Sequence, residues 1–289
     1  GGHFEGNRVG FDLGASDRKM AAVVEGEHVF SDEIQWDPGS QKDPQYHFDE
    51  IKDCIERAAE HLPQVDAIGA CAAGVYVDNK VRAATLFRSV PDGVFEEEVE
   101  DIFLRITEEW DVPFKIVNDG EVTALVGSMQ LDANGVLGIA MGSSEAGGYV
   151  TGDGNITNWL NELAFVPIDW NPDAALDDWS AARGCGAKYF SQQAVFRLAP
   201  EVGITLDQDQ SKADKLAQAQ DMLEAGDEDV RKIFESIGVY MGYTIPYYAE
   251  FYEGLQNVLM LGRVTSGEGG SIVLEKAREV LEECFPELA

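Results

Sequence analysis

The sequence predicts an α/β fold of two similar lobes with a central cleft between them, and three observations carry that reading. Strand-like and helix-like segments alternate along the whole chain. The strand, glycine turn, strand pattern of the first residues returns in form near the middle of the chain, although the residues themselves do not repeat. No stretch rich in Pro or Ser sets off an independent module.

At 289 residues the chain is roughly two average domains long, and with 45% hydrophobic residues it can bury a substantial core. Its 53 acidic against 21 basic residues give a formal net charge of −32. Such a polyanion repels phosphate backbones and anionic lipid, which argues against nucleic acid and membrane surfaces as partners. No run of about 18 apolar residues is present for a membrane span, and GGHFEGNRV has no signal-peptide core, so an untargeted cytoplasmic protein is expected. Cys54, Cys71, Cys185 and Cys284 stand singly and are expected to be reduced thiols. His3, His28, His47 and His61 share no metal-like spacing, sit among polar neighbours in sequence, and receive no catalytic role.

Taken in order, RVGFDLG reads as a strand, ASDRK as a polar turn, and MAAVVEG with EHVFSDEI as returning strands. Phe48, Ile51, Cys54, Ile55 and Ala58 recur at helical spacing over Pro44 to His61, ahead of the strand-like run VDAIGACAAGVYV. Val99, Ile102, Phe103 and Ile106 mark a helix over Glu96 to Trp110, and the acidic run from Phe95 to Asp101 reads as its solvated start. PFKIVND is a short buried strand, followed by the helix EVTALVGSMQL. GVLGIAMGSSEAGGYVTGDG opens the second strand and glycine-turn unit. Ile233 to Phe251 is a long aromatic helix interrupted at Pro246, read as buried with polar tips. The strand NVLMLGRV, a glycine turn TSGEGG and the amphipathic helix SIVLEKAREVLEECF close the chain.

Three glycine-containing turns follow three apolar strands: Asp12 to Ser16, Met141 to Gly148, and Leu261 to Gly267. Small residues let backbone N–H groups approach a phosphate, and serine hydroxyls add donors. Each alone is an ordinary hairpin signal. Between them Asp119, in VNDGEVTAL, sits at an expected strand end, where α/β folds bind ligands. It reads equally as a helix N-cap or as a general base for phosphoryl transfer, which needs an acid–base group, Mg²⁺ and phosphate cradles. Asn158, Asn161 and Glu162 are polar groups among apolar neighbours, suited either to orienting a ligand or to stabilising a loop.

In serial order GFDLGASDRKMAAVVEG, AAGVYVD, VNDGEVTALVG, MGSSEAGGYVTGDG, LNELAFVPID, GCGAKYFSQQAVFRLA and VLMLGRVTSG resemble the motifs of the ROK family of sugar kinases and repressors, within the actin-like ATPase superfamily. The resemblance spans nearly the whole chain. It implies an actin-like ATPase fold with ribonuclease-H-like lobes, the first over 1–118 and the second, with the nucleotide-binding elements, over 119–289. ATP, Mg²⁺ and a small-molecule sugar are the implied ligands, and a homodimer the implied assembly. Asp119 matches the catalytic base, Asn118 and Glu162 the sugar ligands, and Gly74 part of the sugar-side turn. Asp12, Gly14 and Ser16 match the first phosphate motif, with Asp12 on the Mg²⁺ side. Gly142, Ser143 and Ser144 match the second, Gly262 and Arg263 the adenine-side turn, and Gly184, Cys185 and Ser191 a Gly-Cys motif with the serine after it.

The departures are specific. Phe165 stands for the motif histidine and Ala187 for a glutamate; Ala73-Gly74 replaces Pro-Gly, Thr85 an Asn, and Leu261-Gly262-Arg263 a triple glycine. Trp170 to Arg183 holds no cysteine, so no structural zinc is expected. Glu145, inside the second phosphate turn, is expected either to meet a metal ion or to mark a site that repels ATP. The family's final Gly-Ala-Ala segment does not follow Phe285, which suggests a truncated second lobe, and no helix-turn-helix precedes the first strand. The resemblance therefore implies an ATP-dependent sugar kinase with an altered sugar site, or a sugar-sensing protein that has kept the fold without turnover.

Overall fold

Alternation of apolar side chains builds the first sheet in the computed structural model, which describes residues 5–288 apart from 158, 179 and 208. His3 and Asn158 thus lie outside the described residues. Val9, Phe11 and Leu13 of β1 (Asn7–Leu13) and Met20 and Ala22 of β2 (Asp17–Val24) are buried. β3 (Glu27–Gln35) completes an antiparallel meander. β2 begins at Asp17, so three of the five residues of the expected ASDRK turn are strand. The reason is Arg18: its buried guanidinium reaches Glu50 at 2.5 Å and Asp53 at 2.7 Å.

Those acids belong to α1 (Pro44–Ala59), which Asp43 caps at the Gln45 N–H and which buries Ile51, Cys54, Ile55 and Ala58. His47 on this helix is fully buried, its Nε2 near the Pro38 and Leu86 carbonyls, which corrects the polar surroundings expected for it. The VDAIGACAAGVYV run breaks into β4 (Ala67–Ala72) and β5 (Val75–Val77) at Gly74, whose φ of +145° excludes a side chain. β5 turns back into β6 (Lys80–Ala83), and Asn79 ties this hairpin to β7 (Phe114–Asn118) by donating to the Phe114 carbonyl and accepting from the Ile116 N–H. Between them α2 (Asp92–Val94), a π-helical turn (Phe95–Val99) and α3 (Ile102–Thr107) replace the single expected helix. β1, β4 and β7 are parallel, and the five-stranded order is β3-β2-β1-β4-β7.

The chain divides into two units, one of residues 5–122 with 159–160, the other of 123–157 with 161–288. The division runs through α4 (Asp119–Leu131). The second unit holds β8 (Val136–Met141), β9 (Glu145–Val150), α5 (Gln192–Leu198), α6 (Lys212–Glu224), α7 (Glu228–Ala249), β10 (Asn257–Leu261) and α8 (Gly267–Cys284). Its sheet, β10-β8-β9, pairs β8 parallel with β10 and antiparallel with β9. That repeats the relation of β1 to β4 and β2, so the echo heard in the sequence is topological.

Two expectations change here. α7 continues through Pro246, and its buried Ile233, Phe234, Ile237 and Met241 supply the core that holds it. TSGEGG is largely helix, because Gly269 packs against Phe234 and Gly270 against the Thr265 backbone. Tyr248 and Tyr252 of the aromatic segment are buried, whereas Tyr243 and Phe251 are exposed. Among the described residues no helix is long and apolar enough to cross a membrane, and the four cysteines are free thiols.

Candidate functional site

The parallel register of β1, β4 and β7 aligns their carboxyl ends, the place where open α/β sheets bind ligands. Asp12 faces Cys71 across β1 and β4, and Ala72 faces Asn118 across β4 and β7. Cys71 Sγ donates to Asp12 Oδ1 at 3.4 Å, and Lys19 Nζ lies 4.0 Å from Asp12 Oδ2. Asp12 remains half-exposed.

Asn118 sits immediately before α4. Its Nδ2 donates to the Gly74 carbonyl at 2.8 Å and its Oδ1 accepts from the Gly120 N–H at 2.8 Å. The capping role that the sequence offered to Asp119 thus falls to Asn118, the position whose oxygen reaches the second helical N–H. Asp119 opens the helix with an exposed side chain. Loss of hydration within the surrounding protein, and to a lesser degree the Asp12 charge, raise its carboxyl above the ordinary range, against the lowering effect of the Gly120 N–H.

Two neighbours in this unit were not singled out from the sequence. Burial first, then Asp12, pushes the Cys71 thiol far up, and burial followed by the Asp119 charge does the same to Tyr76. Both residue types are common in cores, so only the register of β4 and the turn at Gly74 reveal them. Trp36 is a third: its indole donates to the Gly14 carbonyl at 2.8 Å and pins the first glycine turn. Gly14 closes that turn by donating to the Asp17 carbonyl, while Ser16 is exposed with its hydroxyl on Asp17.

In the second unit Gly142 donates to the Ser144 carbonyl at 2.9 Å, forming a tight turn between β8 and β9. Its carbonyl accepts from the Gln192 N–H, and the Ser143 carbonyl from the Gln193 side chain, so the start of α5 holds the turn. Ser143 and Ser144 are exposed. Gly262, at φ +99°, lies so close that a Cβ would meet the Met141 carbonyl at 2.5 Å, and Arg263 beside it is exposed. Ser191 is buried and caps α5 at the Gln193 N–H. Ala187 is buried with Cys185 and Ala164 in a small apolar cluster that has no room for a glutamate's charge.

Glu162 is half-buried ahead of the turn Leu163–Phe165, and Phe165 is exposed. Tyr252 donates to Asn161 Oδ1 at 2.9 Å, fixing the residue before Glu162. Glu145 departs from expectation. It is the first residue of β9 and only 2% exposed, so it does not border the phosphate turn's open face. Burial raises its carboxyl well above the ordinary range.

Neither a family model nor a curated protein matches this chain. Solved structures do. A ROK hexokinase from Thermus thermophilus superposes with a TM-score of 0.72 at 16% identity, covering 96% of this chain and 89% of that one. A ROK transcriptional regulator, a homologue of the E. coli MLC protein, gives 0.74 at 19% over 96% and 70%. A ROK glucokinase from Streptomyces griseus, in complex with glucose and AMPPNP, gives 0.61 at 20% over 96% and 89%. The chain therefore has the fold of the ROK sugar kinases and regulators, the actin-like ATPase fold.

Proposed function

We propose that this chain is a ROK-type sugar kinase that transfers a phosphoryl group from ATP to a sugar hydroxyl. The observation that carries the reading is Asp119: an exposed carboxylate at the carboxyl end of the parallel strands, beside Asp12 and fixed in place by the Asn118 cap. Such a carboxylate takes the proton of an attacking hydroxyl, and its raised basicity suits it to that work. Asn118, Gly74 and Glu162 are assigned to the sugar.

Phosphoryl transfer rests on positioning and charge neutralisation. Gly14 and Ser16 of the first turn, Gly142, Ser143 and Ser144 of the second, and Gly262 with Arg263 are assigned to the nucleotide. Backbone and hydroxyl donors answer its negative charge in a chain that is itself polyanionic. Mg²⁺ commonly takes one or two carboxylates beside substrate phosphates, and the half-exposed Asp12 fits that need; the ion would neutralise phosphate charge there.

A second reading, a sugar sensor without turnover, draws on Phe165 and the buried Ala187, where the family's sugar-binding side chains are missing, and on the likeness to a regulator. ADP release across a panel of hexoses and N-acetylhexoses tests the first reading. The kinase reading expects sugar-dependent turnover that Asp119→Asn abolishes. Sugar binding by calorimetry, with no ADP released and no binding of millimolar Mg-ATP, selects the sensor. A homodimer is proposed on the resemblance and is checked by light scattering.

A further inference from the structure

Glu145 is a buried carboxyl of the second unit that the proposed reaction does not use, and its surroundings are unusual. It is 2% exposed, and its Oε2 has no hydrogen-bond partner. Its other oxygen accepts from the Tyr248 hydroxyl at 3.4 Å. An ionised carboxylate offers acceptors only, and a buried oxygen without a donor is costly.

The position of Oε2 shows what it can do instead. A Cβ added to Gly186 would collide with Oε2 and would lie 2.6 Å from the Leu163 carbonyl oxygen, so the two oxygens border the same small space beside Gly186. A proton on Oε2 would turn two neighbouring acceptors into a donor and an acceptor. Leu163 follows Glu162 directly and packs onto β9 over Gly147, a second glycine with no room for a side chain.

We infer that Glu145 is a positioning residue: its buried carboxyl, as a hydrogen-bond donor to the Leu163 carbonyl, fixes the segment that presents Glu162. The titratable groups facing it are Tyr248 from α7 and Glu162 from the segment itself, with Tyr247 and Tyr252 beyond Tyr248 and Cys185 on the turn that carries Gly186. Ionisation removes the donor and places a second negative charge against Glu162. The segment then loosens as pH rises. This inference concerns the geometry of Glu162 and stands whether its ligand is a sugar or another molecule.

The test is hydrogen exchange by mass spectrometry on peptides spanning 160–168, corrected for intrinsic rates, from about pH 6 to about pH 9.5. In the wild type, protection of this segment falls as pH rises, while that of α8 does not. Glu145→Gln keeps a donor and an acceptor and holds wild-type protection with no pH dependence. Glu145→Val loses protection there by on the order of tenfold at every pH. Should the valine variant not fold, the glutamine profile decides alone. A pH profile shared by wild type and Glu145→Gln, or wild-type protection in a folded Glu145→Val, overturns the inference. Glucose titrated by calorimetry into wild type and Glu145→Gln separates this from the kinase reading: absence of sugar binding in both refutes the sugar assignment while leaving the exchange result to judge Glu145.

Discussion

Cys71 Sγ donates to Asp12 Oδ1 across 3.4 Å, between residues that also face each other in the parallel register of β1 and β4. The bond joins the side chain assigned to Mg²⁺ to the strand beside it. It also holds the thiol protonated, since a thiolate there would face a carboxylate in a partly dehydrated place.

Cys71 is therefore expected to resist alkylation in the folded protein at about pH 8, where an ordinary thiol of pKa about 8.5 reacts readily. Peptide mapping after iodoacetamide should show the exposed Cys284 modified first. Asp12→Asn removes the opposing charge and should speed labelling of Cys71. Equal labelling of Cys71 and Cys284 in the wild type would contradict the geometry.

Replacing Asp119 by Asn should lower sugar-dependent turnover by on the order of 10² or more. The same change should stabilise the fold at neutral pH. Because the folded carboxyl titrates above its unfolded value, the stability tied to its neutral form is complete below about pH 3.9 and is lost as pH rises through the folded pKa. The variant's advantage in Tm should accordingly be present at pH 7 and vanish below pH 4. An Asp119→Asn protein less stable than wild type at pH 7 would show that the side chain serves the helix rather than the site.

Ser143→Ala should weaken nucleotide binding by roughly tenfold, the effect of one hydrogen bond to a charged phosphate. Tm should stay within about 1–2 °C, since the turn is held through backbone carbonyls by Gln192 and Gln193 and the hydroxyl is exposed. Calorimetry with an unhydrolysable ATP analogue reads the first number, and a melting curve the second.

Gly262→Ala should cost about 2–4 kcal/mol of folding stability, measured by denaturant unfolding. The residue combines a φ of +99° with a Met141 carbonyl oxygen 2.5 Å from any Cβ. A near-neutral change would mean that β10 can shift away from the turn after Met141.

The site was legible where chemistry lies on a strand end. Asp12, Asn118 and Asp119 stand out because polar residues end apolar runs, and the serines of the second turn because glycine and hydroxyls follow one. The capping role nonetheless fell to Asn118 rather than to Asp119. Which of two adjacent polar residues caps a helix depends on where the helical dihedrals begin, and the Asn118 side chain is further held by a contact no local pattern reveals, its amide donating to the Gly74 carbonyl 44 residues away. Cys71, Tyr76 and Trp36 carried no signal, because cysteine and aromatics in apolar stretches are ordinary core residues until a register places them beside a carboxylate.

The amino-acid sequence by itself determined the α/β alternation, the two strand and glycine-turn units, the acids at the ends of parallel strands and the charge that any anionic ligand must overcome. Local periodicity and turn chemistry suffice for these, since each is decided within a few residues. Only the tertiary structure decided that His47 is buried, that Pro246 is carried inside a helix, and that Glu145 points inward. β9 is buried along nearly its whole length, on both faces, so its first residue is drawn inward with the rest of the strand, which the local sequence does not reveal. Its burial is bearable because Tyr248, 103 residues further on, meets one of its oxygens and Gly186 makes room for the other.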